Sequence, residues 1–266
     1  MISKSQIKFV QSLKQKKYRD IHRCFVAEGS KLVLELTGSY FPIRQIYANG
    51  EWIKEHPTPE NILVEEVKPF EMERITALST PSPVLALVEM PEELLDTTPW
   101  LENLTLVLDG IQDPGNLGTI IRIADWFGIG QIICSHGCVD LFNPKVVQAT
   151  MGSIARVRVN YVELSNFFPT VGSEVHVYGL MLEGEDLFGA EITSNGIIVI
   201  GSEAHGISDK VTNFITHQLT IPFYPSDRDH HAESLNAAVA TGIVCGEFRR
   251  RLGINHEILG PLKPVS

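Results

Sequence analysis

Hydrophobic positions alternate with polar ones in two distinct regimes along the chain. Near the start, Ile7, Val10, Leu13 and Lys14 recur at helical spacing within residues 3–17, which predicts a short amphipathic helix with lysines on its outer face. CFVAEG then reads as a strand, and SKLVLELTGS as a helix with Ser30 as candidate N-cap and Gly38 just past its end. RQIYAN, NILVEEV and VLALVEM add strands and PFEMERITALS adds a helix, so residues 1–90 form a small α/β unit. MPEELLDTTPWLEN is acidic and interrupted by Pro91 and Pro99, which marks residues 91–103 as a linker.

From residue 104 onward, short Val/Ile/Leu-rich runs alternate with helical ones: LTLVLDG, QIICS, ARVRVN, VHVYGLML, GIIVIGSE and LTIPF. Runs this continuous suit strands buried on both faces of a mainly parallel sheet. Between the first two, Leu117, Ile120, Ile121 and Ala124 trace a helix that Gly128 can end. The last helix is expected over 234–250, with Ser234 as N-cap and Leu235, Ala238, Val239, Gly242 and Ile243 as its apolar stripe. Arg249, Arg250 and Arg251 stand where the helix dipole favours cations. Residues 104–253 are thus expected to be a second α/β domain, followed by a short tail, 254–266.

Composition adds limits to this picture. With 266 residues, 44% hydrophobic and 20% charged, the chain has the balance of a folded water-soluble protein rather than a disordered or membrane-embedded one. No run of about 18 apolar residues occurs, and the N-terminus lacks the apolar core of a signal peptide. A cytoplasmic protein is the expectation. The four cysteines form no CxxC pair, and the three-residue gap between Cys134 and Cys138 matches no common zinc spacing.

Net charge is -10, which argues against a polyanionic partner until its distribution is considered. Residues 1–31 carry eight Lys/Arg against two acidic residues, giving +6 and leaving -16 for the rest. A basic arm that reaches nucleic acid and a merely solvated helix face both meet this asymmetry.

In an open parallel sheet, ligands gather beyond the carboxyl ends of the strands, so the loops there hold the candidate chemistry. LDGIQDPGNLGTIIRIADWFGI, residues 108–129, runs from a strand through Gly110, Pro114, Gly115 and Gly118 into a helix, with Asn116 as a candidate cap and Arg122 two turns in. GSEAHGIS, residues 201–208, puts Glu203 and His205 between two glycines at a strand end. IPFYPSDRDHHAESLNAAVATGIVCGEF, residues 221–248, places Ser234 and Asn236 at a helix start, where backbone N–H groups face outward. Each alone is also explained by a surface arginine or a helix cap.

Taken together and in this order, the Gly-rich turn with Asn and Arg six apart, the GSE..G turn, and IP followed by SLN..VA resemble the three motifs of the SpoU, or TrmH-like, branch of the SPOUT RNA methyltransferases. NPKVVQATMGS, residues 143–153, is similar to the family's intervening segment. Residues 16–40 are more loosely similar to the start of the small RNA-substrate-binding domain of many members. The resemblance implies an α/β trefoil-knotted domain binding S-adenosylmethionine, a homodimer, and methylation of a ribose 2′-hydroxyl in tRNA or rRNA. Periodicity shows no knot. By motif position the resemblance carries over Asn116, Arg122, Glu203, Ser234 and Asn236 as active-site residues, and Gly201, Ile221 and Leu235 as cofactor contacts.

The chemistry such a site must perform is to hold the 2′-oxygen in line behind an activated methyl and to help remove its proton. The resemblance makes Arg122 the base, but a guanidinium is better suited to stabilise a developing alkoxide or hold the neighbouring phosphate. No metal is required. One departure stands out: the loop YPSDRDHHAE is several residues longer than the family's and puts Pro225 near a usual glycine position, with His230 and His231 beside it. That departure motivates the alternative of an RNA-binding or assembly protein that keeps the fold with impaired catalysis.

Overall fold

Two sheets organise the protein, one within residues 24–89 and one within 104–220. The structure, a computed structural model, describes residues 1–91, 102–224 and 233–251. Most of the expected linker, the tail, and Pro225, His230 and His231 lie outside the described residues.

The first sheet has the order β1-β4-β2-β3, built from β1 (Cys24–Glu28), β2 (Ile43–Ala48), β3 (Val64–Glu66) and β4 (Val84–Glu89). β4 pairs antiparallel with both β1 and β2, while β2 and β3 run parallel. Side chains alternate between its faces. Cys24, Val26, Leu85 and Leu87 join Ile7, Val10, Leu13, Met72 and Ile75 on one side. Phe25, Ala27, Val84, Ala86 and Val88 enter the other cluster, which continues into the second domain. Burial on both faces explains why these strands read as unbroken apolar runs.

The expected first helix is two: α1 (Lys4–Ser12), with Ser3 and Gln6 forming a capping box, and α2 (Lys16–His22). α3 (Ser30–Thr37) starts after Gly29 at φ +107, so Gly29 is the N-cap; Ser30 Oγ instead accepts Trp52 Nε1–H at 3.0 Å. α4 (Gly50–Glu55) and α5 (Pro69–Ile75) complete the domain.

This packing gives some of the basic residues of the N-terminal segment structural partners. Arg19 is only 2% exposed; its guanidinium donates to Leu13 and Lys14 carbonyls and to Asp140 Oδ2 of the second domain at 2.6 Å. Removing one partner of such a pair costs about 3–5 kcal/mol, because the other is left buried and charged. Lys14 is held by Thr76 O and Lys16 by Asp20. Part of the sequence's positive excess is therefore structural, and Arg19 ties the two domains together. Phe25 and Phe142, with ring centroids 4.7 Å apart, seal the same junction.

The second sheet has the order β10-β8-β9-β5-β6-β7, and every neighbouring pair is parallel. Its strands are β5 (Leu104–Asp109), β6 (Gln131–Ser135), β7 (Arg158–Val162), β8 (Val177–Asp186), β9 (Gly196–Gly201) and β10 (His217–Thr220). The expected mainly parallel α/β domain is present. The chain winds outward from β5 through β6 to β7, then returns on the other side of β5, so the order reverses between β5 and β9. That reversal opens a crevice at the strands' carboxyl ends.

Helices α6 (Pro114–Trp126), α7 (Pro144–Ala149), α8 (Leu164–Phe167), α9 (Asp209–Thr212) and α10 (Ala237–Arg251) connect or flank these strands. α6 and α7 approach so closely that a Cβ on Gly118 would fall 2.4 Å from Ala149 Cβ. Glycine is required there.

α10 departs from the sequence expectation in two ways. Its N-cap is Asn236, not Ser234, because Asn236 Oδ1 accepts the N–H groups of Ala238 and Val239. Its buried face is Ala237, Ala238, Thr241, Val244, Cys245 and Phe248, while Leu235 and Val239 are exposed. Apolar residues surround the first turns of this helix, so periodicity alone points to more than one stripe.

At its far end, Glu247 accepts from Arg250 and Arg251, and Arg251 also donates to Leu187 O and Ala190 O. The Arg250 guanidinium, helped by Arg251, holds the Glu247 carboxyl down at about 2, against about 4.3 for a free glutamate. A folded value below the unfolded one stabilises the fold fully above about pH 5 and loses that contribution as pH falls towards 2. The melting temperature of Glu247→Gln should therefore vary less over this acid range than that of the parent protein. Parallel curves would exclude a role for this pair.

Candidate active site

β5 ends at Asp109, and the chain turns at Gly110 with φ +73. The turn is pinned on three sides. Gly110 N–H donates to Ser135 Oγ at 2.9 Å, Ile111 N–H to Cys138 Sγ at 3.3 Å, and Asp109 Oδ2 accepts Ser208 N–H at 2.9 Å. α6 then begins with Asp113 as N-cap, accepting Asn116 N–H at 2.8 Å, and with Pro114 at its first position. Asn116 is thus in the first turn rather than at the cap, which frees its side chain to point out of the helix.

The loop after β9 folds back tightly. Ser202 and Gly206 exchange backbone hydrogen bonds of 3.0 and 2.8 Å, with Gly206 at φ +64. A Cβ on Gly201 would lie 2.1 Å from the Gly206 carbonyl carbon, so the turn itself demands glycine at 201. This hairpin presents Glu203 beside the starts of both α6 and α10.

There the three motifs meet. Glu203 Oε1 accepts Asn116 Nδ2–H at 2.8 Å, Asn236 Nδ2–H at 2.8 Å and Ala237 N–H at 2.9 Å. Asn236 also donates to Asn116 Oδ1 at 2.8 Å. Residues 116, 203 and 236, distant in sequence, form one closed network, held with the Ala237 backbone by four hydrogen bonds to two oxygens. Glu203 Oε2 accepts nothing from the described residues, and no cation pairs with the carboxylate among them.

The remaining expected residues stand elsewhere. Arg122 is exposed and makes no hydrogen bond or ion pair with the described residues. At 100° per residue it lies on another face of α6 from Asn116, flanked by Thr119 and by Trp126, which is 84% exposed. Ser234 is exposed and outside the network. Ile221, half-buried, packs on the core beyond β10, and Leu235 is 46% exposed. Asp109, Asp113, Ser135 and Cys138 were not among the sequence candidates, although Asp-Pro before an apolar stripe is a helix-start signal.

All four cysteines are free and buried. Burial pushes the thiols of Cys24 and Cys245 up, to about 11 and about 12. Cys138 is moved the other way by hydrogen bonds from Cys134 first, then Ser135 and the backbone of Ile111 and Gly110. Among the described residues, no three His, Cys, Asp or Glu side chains gather as a metal site, and no helix is long and apolar enough to cross a membrane.

Comparison with known proteins identifies the family to which this fold belongs. The pattern of the SpoU rRNA Methylase family matches residues 103–246, and that of the MRM3-like substrate binding domain matches residues 4–86. The chain is similar over 246 residues, at 29% identity, to the 23S rRNA (guanosine(2553)-2'-O)-methyltransferase RlmP of Bacillus subtilis, covering 92% of this chain and 96% of that relative. A TrmH-family structure from Porphyromonas gingivalis superposes with a TM-score of 0.86 at 40% identity, over 94% of this chain and 99% of that one. The AdoMet-bound rRNA methyltransferase from Sinorhizobium meliloti gives 0.83 at 30% identity, over 95% and 97%.

The architecture is that of a SPOUT-type RNA methyltransferase carrying a substrate-binding domain. The chain belongs to the SpoU rRNA methylase family, whose members use S-adenosylmethionine as methyl donor. The residues present fit that cofactor: Ile221 and Leu235 offer apolar surface on the third motif, Gly206 leaves open space on the second, and Glu203 supplies an unpaired negative charge suited to a cationic sulfonium.

Proposed function

We propose that this protein methylates a ribose 2′-hydroxyl of ribosomal RNA, in the cytoplasm, with residues 1–90 holding RNA and residues 104–253 carrying out transfer. The observation that carries this reading is the convergence of Asn116, Glu203 and Asn236 through one carboxylate oxygen. When bound, S-adenosylmethionine would supply a methyl activated by its sulfonium. Asn116 and Asn236 fix the Glu203 carboxylate, whose second oxygen is left to orient a donor on ribose or cofactor. Ser234 and the loop backbone around Gly201, Ile221 and Leu235 line the cofactor side. Arg122 neutralises charge growing on the ribose oxygen or holds the neighbouring phosphate. The reading includes the trefoil knot that the family resemblance implies. Calorimetry with S-adenosylmethionine tests it: micromolar binding that is lost in Asn236→Asp supports the site, and no binding overturns it.

The reading also includes a homodimer. Trp126 on α6 and Val239 on α10, 84% and 52% exposed, flank a seam where Gly242 and Gly246 bring α10 against Ile123 and Phe127. Exposed apolar side chains on two packed helices favour a self-complementary interface. A two-fold partner on this face would cover Arg122 and make the dimer part of the site. Light scattering at micromolar concentration should give twice the chain mass, and Val239→Asp should halve it and abolish methyl transfer. A monomeric parent protein would contradict this.

A further inference from the structure

Between the N-terminal domain and α7 lies a cleft of about 320 Å3, outside the Asn116–Glu203–Asn236 network. Val26, Glu28 and Leu78 line one wall; Lys145, Val147 and Gln148 line the other. The second wall belongs to α7, which packs at Ala149 directly on Gly118 of α6, two residues past Asn116. The cleft is thus one helix away from the methyl-transfer site. Its size is at the small end of ligand pockets, which run about 300–1,000 Å3. It suits one flat ring rather than a stretch of chain.

Its polar groups are unusual. Glu28 is only 5% exposed, yet no cation pairs with it among the described residues. Oε1 accepts Ala77 N–H at 2.7 Å and Oε2 accepts Thr76 Oγ1–H at 2.5 Å. A carboxylate has roughly four acceptor positions, so about one remains on each oxygen. The Gln148 amide makes no hydrogen bond with the described residues, and exposed Lys145 has no ion-pair partner among them.

We propose that this cleft receives a guanine base splayed from the RNA substrate, an inference that rests on the RNA methyltransferase reading. Guanine presents two adjacent donors, N1–H and N2–H, to the two oxygens of one carboxylate. Adenine and cytosine place an acceptor beside their single amino group, and uracil flanks its N–H with two carbonyls, so each meets Glu28 with a repulsive contact. Val26, Leu78 and Val147 cover the ring, Gln148 reads a further edge atom, and Lys145 meets the phosphate. Unstacked bases read on their edges are the usual means of sequence recognition in RNA.

The test is NMR titration of the full chain with the four ribonucleoside 5′-monophosphates, with S-adenosylhomocysteine present to fill the cofactor site. Guanosine monophosphate should bind about tenfold or more tightly than the other three, as one two-point contact provides. Glu28→Gln should remove that preference. Leu78→Trp, on a half-exposed loop, should fill the cleft and abolish guanosine monophosphate binding without disturbing the fold. Equal affinity for all four nucleotides, or unchanged binding in Leu78→Trp, overturns the proposal. Guanine selectivity in a protein that transfers no methyl group would support the cleft and remove only the methyltransferase reading.

Discussion

Replacing Arg122 with alanine should lower methyl transfer by about 100–1,000-fold, the usual loss when one donor to a developing charge is removed, while leaving the melting temperature unchanged. The fold has no use for this side chain: it is exposed, and no described residue accepts from it. The apolar face of α6 is carried by Leu117, Ile120, Ile121 and Ala124, all buried. Arg122→Lys separates charge from geometry. A lysine keeps the charge but loses the planar fork, so partial recovery would assign charge neutralisation and none would assign two-point contact. Full turnover in Arg122→Ala would remove the residue from the mechanism.

Glu203→Ala should have the second-largest effect, on activity and on local order together. Its Oε1 is the common acceptor for Asn116, Asn236 and the Ala237 backbone, so its loss leaves three donors to find water and unties the starts of α6 and α10. Each lost bond to a charged acceptor is worth about 1.5–3 kcal/mol at most, and less at this exposed position, where water replaces the partner. The melting temperature should fall by a few degrees, whereas methyl transfer should fall by at least about 100-fold. Glu203→Gln should keep most of the stability and still lose most of the activity, because an amide cannot accept with both ends. If stability and activity fell in proportion across the two variants, Glu203 would be a structural tie only.

The sheet of the second domain was legible because β5, β6 and β9 are buried on both faces and so leave unbroken apolar runs. The motif loops were legible as glycine-rich breaks after those runs. Their meeting was not, since residues 116, 203 and 236 are joined by side-chain hydrogen bonds that no local pattern encodes. The start of α10 was misplaced because Ser234 and Asn236 are both good caps, and only the contact of Asn236 with Glu203 and Asn116 decides between them. The basic N-terminus was ambiguous for the same reason: counting charges cannot reveal that Arg19 is buried against Asp140 across the domain junction.

Ribose methylation itself is measured by incubating the protein with S-adenosylmethionine and ribosomal RNA from a strain lacking it, then locating the new methyl group by mass spectrometry. A single new 2′-O-methyl group should appear, absent with Arg122→Ala and with Glu203→Gln. Methylation on a base, or no methylation while S-adenosylmethionine binds, would contradict it.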